Sequence, residues 1–187
     1  MVDFTLRRAE PGDESALALV GAATFLDAFI HDIPGPDLVL HCQRQHSAAV
    51  YANFLSADDP RYACWLAEHA GTRAPIGYAV ACPPDLPGDP GPHDIEIKRI
   101  YCLSQVHGSG AGQALFEAAL AHGKALGCSR LWLGTYEENR RAIAFYRRNG
   151  FETVATRQFQ VGEQIFDDIV MARELALSAP ATGHGKR

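Results

Sequence analysis

A chain of 187 residues, 47% hydrophobic and 21% charged, carries enough apolar material for one core and little for a second domain. A net charge of −5 argues against the extended basic surface that nucleic-acid binding needs. No apolar stretch approaches the ~20 residues that cross a bilayer. The N-terminus carries Asp3, Arg7 and Arg8 and no apolar signal-type segment, so a cytoplasmic protein is expected. The five cysteines, Cys42, Cys64, Cys82, Cys102 and Cys128, are odd in number, show no paired spacing and sit in apolar runs. They read as reduced core residues.

Asp3 to Ala9 alternates and reads as a first strand, followed by a turn at Pro11-Gly12-Asp13. Asp13 or Ser15 is placed to cap a helix over Ala16 to Phe29. Pro34, Gly35 and Pro36 break the chain, and a second helix is expected over Asp37 to Leu55. Tyr62 to Glu68 and Ile76 to Ala81 read as a hairpin of two strands turning at Gly71. The segment Pro83 to Pro92, with five prolines and two glycines, is too broken for a regular element. In a compact enzyme a loop of this length tends to border a site, and a plain surface connection is the equal alternative. A central strand follows over Asp94 to Leu103. After it come a glycine loop, a helix ending near Gly127, a strand over Arg130 to Thr135 and a helix over Glu138 to Asn149. Gly150 suits a left-handed helix cap with Phe151 packing back. Phe151 to Gln160 and Glu163 to Glu174 read as a closing hairpin around Val161-Gly162. One domain is expected over residues 1–177, with a disordered tail over 178–187.

The stretch Ile95 to Leu126 organises the rest. A buried strand runs into Gly108-Ser109-Gly110-Ala111-Gly112, and a helix with Leu115, Phe116, Ala119 and Leu120 on one face leaves it. Backbone N–H groups exposed at a helix start form an anion cradle, and phosphate is its natural guest. The run is not a Walker loop, because no Gly-Lys-Ser/Thr follows. It is not a dinucleotide fingerprint, because Gln113 stands where a third glycine belongs.

The segment IYCLSQVHGSGAGQAL resembles the pyrophosphate-binding motif of the GNAT superfamily of acyl-CoA-dependent N-acetyltransferases. That motif reads Gln/Arg-x-x-Gly-x-Gly/Ala, and His107 departs from it where Gln or Arg is usual. LWLGTYEENRRAIAFYRRNGF, Leu131 to Phe151, resembles the family's second cofactor segment, with Asn139 and Tyr146 in a strand–helix unit. The resemblance covers Tyr62 to Leu175 and extends to the fold from Asp3. It implies an α/β (α+β) fold, a mixed and strongly twisted sheet of about seven strands with helices on both faces. Within the family, IKRIYCL, the Asn–Tyr segment and the closing DDIVM look most like the spermidine/spermine (PaiA-like) branch.

The implied reaction is direct transfer of acetyl from acetyl-CoA to a primary amine in a ternary complex. An amine with a pKa near ~10.4 is almost all ammonium at neutral pH, and deprotonating it costs about 4–5 kcal/mol. The reaction therefore wants a base near the amine, donors for the thioester oxygen and help for the departing thiolate. Glu96 is the candidate base, because the resemblance places it where some members of the family carry a catalytic glutamate on this strand; the plain alternative is a strand-edge carboxylate paired with Lys98 or another cation. Period-two alternation places it on one face with Lys98, Ile100 and Cys102. The resemblance makes the backbone of Ile100, Tyr101, Cys102 and Leu103 the partner of the pantetheine arm. It makes His107, Gly108, Ser109, Gly110, Ala111, Gly112 and Gln113 the pyrophosphate cradle.

Tyr146 is the candidate acid for the thiolate, and Asn139, seven residues before it, can share its face. The plain alternatives are a core tyrosine and a helix N-cap. Cys102 lacks an activating histidine nearby in sequence and reads as a buried strand residue. The eight histidines show no metal-ligand spacing, so no metal is expected. Asp27, Asp32 and Asp37 lie where the family shapes its acceptor site and suit a polyamine such as spermidine. A protein N-terminus, another small amine and a non-catalytic acyl-CoA sensor are the competing readings. Acetyl-CoA and a small amine are then the partners, with no nucleic acid and no membrane, and a homodimer is compatible with the sequence.

Overall fold

The computed structural model describes residues 2–175, and the tail expected at 178–187 lies outside them. The elements are β1 Phe4–Arg8, α1 Glu14–Phe29, α2 Gly35–Gln45, α3 Ala48–Leu55, β2 Ala63–His69, β3 Pro75–Cys82 and β4 Ile95–Cys102. They continue with a 3₁₀ turn at Ser104–Val106, then α4 Ala111–Ala125, β5 Arg130–Tyr136, α5 Arg140–Arg148, β6 Glu152–Val161 and β7 Gln164–Glu174. The strands form a seven-stranded sheet in the order β1-β2-β3-β4-β5-β7-β6. Every neighbouring pair is antiparallel except β4 and β5.

Strand alternation explains the two faces. On β3, Ala79 and Ala81 point to the core shared with Leu115, Phe116 and Ala119 of α4. Tyr78 and Val80 point the other way, to Leu17 and Val20 of α1 and Tyr51 of α3. Small residues on one face and large ones on the other let α4 approach the sheet closely. A third cluster, Phe25, Ile33, Leu38, Val161 and Phe166, joins α1 and α2 to the β6–β7 hairpin.

The helix expected over Asp37 to Leu55 is two helices. The backbone leaves the helical region at His46 (φ −124°, ψ 25°), and Ser47 caps α3 by accepting from the Val50 N–H. Serine competes for backbone hydrogen bonds and favours caps over helix interiors. The break serves packing: His46 Nδ1 lies 2.9 Å from the Tyr51 hydroxyl in the interior. Asp13 stands at the start of α1 without capping it; its carboxylate is taken by Arg7 at 2.7 Å.

Candidate active site

The sheet opens at its centre. β4 and β5 pair only over Ile95–Ile97 and Leu131–Leu133, although the strands run eight and seven residues. Beyond Ile97 and Leu133 they part. Leu103 donates its N–H to the Ile76 carbonyl, at 3.0 Å, so odd-numbered residues at this end of β4 bond to β3. By antiparallel geometry the N–H and C=O groups of Ile100 and Cys102 then face away from β3, into the gap. Of the four backbone positions implied by the resemblance, the structure divides Ile100 and Cys102 from Tyr101, which faces β3, and Leu103, whose N–H goes to Ile76 and whose carbonyl accepts the Val106 N–H.

The expected alternation along β4 does not hold. Val80 pairs with Arg99 and Ala81 with Ile97, so Lys98 is an extra residue bulged out of the ladder. The bulge flips the register of faces. Ile100 and Cys102 join Ile95 and Ile97 on the α4 side, in contact with the core cluster there. Glu96 lies on the other face with Arg99 and Tyr101; Tyr101 stacks on Tyr78, and Arg99 lies over Tyr51 and Phe54.

Glu96 is 2% exposed. Its Oε2 accepts the N–H of Asp85 at 2.8 Å. Burial pushes its pKa up, against the pull of Lys98, the Asp85 N–H and Arg157. A carboxyl held partly toward the neutral form is a better proton acceptor at neutral pH than an ordinary surface glutamate. On the same face Asp168 takes Arg157 Nε at 3.1 Å, and burial raises its pKa also.

The glycine loop sits at the start of α4. Gly108 and Gly110 adopt φ of 83° and 95°, and a Cβ at either would meet nothing within 4 Å, so the space above them is open. The N–H groups of Gly108, Gly110, Gly112 and Gln113 have no acceptor among the described residues, and Ala111 donates only to Ser109 Oγ at 3.3 Å. His107 Nε2 lies 3.3 Å from the Cys102 carbonyl and its Nδ1 3.3 Å from Arg141 Nη1. Arginine only donates, so Nδ1 accepts and the Nε2–H donates to the carbonyl. His107 thereby bridges the end of β4 to the first turn of α5, across the mouth of the gap.

Tyr146 is buried in the α4-side core, against Phe145 and Phe151. Burial raises its phenol above the ordinary range, and the neighbouring Tyr101 phenol adds to the rise. Asn139 is the N-cap of α5, its Oδ1 accepting from Ala142 N at 3.1 Å. Burial pushes the Cys102 thiol up to about 11, and His107 meets its carbonyl rather than its sulfur, so nothing activates it. Two of the three aspartates proposed for the acceptor are engaged elsewhere. Asp27 accepts the Ser104 N–H and hydroxyl, and Asp37 lies against Gly162.

Arg141 was not marked from the sequence, although RRAIAFYRR places four arginines in nine residues and none of the four pairs with a carboxylate among the described residues. Asp85 was not marked either, because its contribution is a backbone N–H, which any residue but proline carries. Among the described residues no cluster of His, Cys, Asp and Glu suits a metal ion, and no helix is long and apolar enough to cross a membrane.

Two central strands that part over an N–H-lined loop, with a buried carboxyl on one face and a tyrosine on the other, define an acyltransferase-type scaffold. The profile of the Acetyltransferase (GNAT) family matches residues 28–151, and the chain belongs to that family. It is an acyl-CoA-dependent N-acetyltransferase, and acetyl-CoA is the acyl donor of the family. An uncharacterized N-acetyltransferase of Mycobacterium tuberculosis is 36% identical over 163 residues, covering 87% of this chain and 98% of that protein. The fold resembles the PaiA N-acetyltransferase from Thermoplasma acidophilum in complex with coenzyme A, with TM-score 0.71, 16% identity and coverage of 92% and 99%. It also resembles the ribosomal-protein-S18-alanine N-acetyltransferase from Escherichia coli, with TM-score 0.67, 19% identity and coverage of 96% and 98%.

Proposed function

We propose that the chain transfers acetyl from acetyl-CoA directly to a primary amine, with Glu96 as base and Tyr146 as partner of the thiolate. The observation that carries this is the placement of Glu96, buried beside the point where β4 and β5 part. In this reading the gap receives the pantetheine arm along Ile100 and Cys102, and the glycine loop takes the pyrophosphate. Arg141 adds positive charge beside the loop, held by His107. The amine nitrogen attacks the thioester carbon, the carbon–sulfur bond breaks, and the proton leaving nitrogen passes to Glu96. Tyr146 donates a hydrogen bond to the sulfur rather than its proton. An ordinary phenol is already uphill of a thiol by about 2 kcal/mol, and burial widens that difference.

For the acceptor we infer a small primary amine, with a polyamine such as spermidine the first candidate. Support comes from the buried carboxyls of Glu96 and Asp168 on the acceptor face and from the likeness in fold to a PaiA protein. Asp27 and Asp37 contribute little, being committed to Ser104 and the Gly162 turn. Release of the CoA thiol is measured with acetyl-CoA and a panel holding spermidine, other small amines and an N-terminal peptide. Turnover with spermidine above the rest supports the polyamine reading. Turnover with the peptide or another amine replaces it, and tight CoA binding with no turnover on any amine leaves the sensor reading.

A further inference from the structure

The loop between β3 and β4, residues 83–92, is anchored at several points on the face that carries Glu96. Asp85 donates its N–H to Glu96 Oε2 at 2.8 Å. Leu86 is buried against Trp132, Val170 and Ala172. Gly88 adopts φ +107°, and a Cβ there would stand 3.2 Å from the Trp132 ring and 3.3 Å from the Ala155 Cβ, so only glycine lets the backbone lie this close to the indole. Arg130 donates to the Asp89 carbonyl at 3.2 Å. Asp94 Oδ2 gathers Gly91 N, Trp132 Nε1 and Arg130 Nε at 2.8, 2.8 and 3.0 Å. Trp132 is the register partner of Glu96 across β4 and β5. The loop is thus packed onto the residue next to the base and bonded to the base itself.

We propose that loop 83–92 is the positioning element of Glu96: the Asp85 N–H fixes the carboxylate's orientation, and the clamp of Leu86 and Gly88 on Trp132 keeps water from it. The inference rests on the reading of Glu96 as the base. The groups that face Glu96 are Lys98 on its own strand, Cys82 on β3, Arg157 on β6 and Asp85 in the loop. The two parts of the device act in opposite directions. Excluding water favours the protonated carboxyl, whereas an N–H bonded to the carboxylate favours the ionised form.

The experiment is the pH dependence of kcat/KM in Leu86→Ala and Asp85→Pro, beside a titration of the Glu96 carboxyl by carbon NMR. Leu86→Ala admits water, so the acid limb is expected about one pH unit lower, with kcat at least threefold down. Asp85→Pro removes the N–H, so the acid limb is expected to move up by half a unit or more; Asp85→Asn, which keeps the N–H, does not move it up. A loop that is only structural lowers activity in both variants and leaves both limbs in place, and that result overturns the proposal. CoA affinity at the wild-type value marks an intact fold. If Asp85→Pro loses it, the direction of the shift in Leu86→Ala decides alone. Shifted NMR titrations with unshifted limbs reject the base reading and keep the loop's hold on Glu96. Unshifted titrations reject the loop whatever the base.

Discussion

Glu96 and Arg99 share one face of β4 although they stand three positions apart, because Lys98 bulges out of the ladder with β3. Strict alternation would set them on opposite faces. The bulge is what leaves Glu96 on the face of Arg99 and Tyr101 while Ile100 and Cys102 turn to α4. Bulges commonly re-aim side chains next to active sites.

The buried carboxyl gives a first prediction. Glu96→Gln keeps an acceptor for the Asp85 N–H and removes the base, so kcat/KM is expected to fall about 100-fold or more. Stability moves the other way. Burial raises the pKa of Glu96 in the folded state, so ionising it weakens the fold as pH climbs past the unfolded value. Below that value both states hold the proton and the term vanishes. The glutamine variant is therefore expected to melt at or above the wild-type temperature at pH 7, and at the wild-type temperature near pH 3. Wild-type kcat/KM in this variant removes Glu96 from the mechanism.

The glycine loop gives a second. Gly110→Asp places an L residue at φ 95° and a negative charge at the N–H cradle. Left-handed backbone costs a non-glycine residue of order 1 kcal/mol, which a small domain tolerates. The charge is the larger insult to an anion site. CoA affinity is expected to drop at least 100-fold by calorimetry while the protein still melts cooperatively. Undiminished affinity sinks the assignment of the loop.

The parts of this molecule that were legible in the sequence are those written in local chemistry. The glycine loop, the Asn-Gly-Phe end of α5 and the closing hairpin are turn and cap signals, and the strands showed in their apolar patterning. The break at His46-Ser47 was hidden because a single serine is a weak interruption, and what fixes it is the contact of His46 with Tyr51. The bulge at Lys98 was hidden for the same reason: register belongs to two strands, and one strand's alternation cannot reveal it. Side chains that meet across elements were harder still. Asp27 reads as a loose surface acid, and only the return of the chain to Ser104 shows its task.

Tyr146 carries a third prediction. Tyr146→Phe removes one hydroxyl and keeps the ring in contact with Phe145 and Phe151. kcat is expected to fall tenfold or more while the Kd for CoA changes less than threefold, since the lost hydrogen bond serves the transition state. An unchanged kcat makes Tyr146 a core aromatic only.

Arg141 and His107 give the last. His107 stands where the family motif has Gln or Arg, and its ring reaches Arg141 rather than leaving the loop uncharged. α5 brings four arginines and no acid, so in a chain of net charge −5 this is a local positive field suited to a polyphosphate. Arg141→Ala is expected to weaken CoA binding five- to tenfold, about 1–1.4 kcal/mol. The loss should shrink as salt rises, because an exposed charge contact is screened within about 10 Å at 0.1 M. His107→Ala, which frees the guanidinium without deleting it, should cost less than Arg141→Ala, and combining the two should cost little more than Arg141→Ala alone, since both act through one contact. Calorimetry with CoA at two salt concentrations checks all three variants without needing an acceptor. Additive losses would separate the two residues and leave His107 acting on the phosphate by itself.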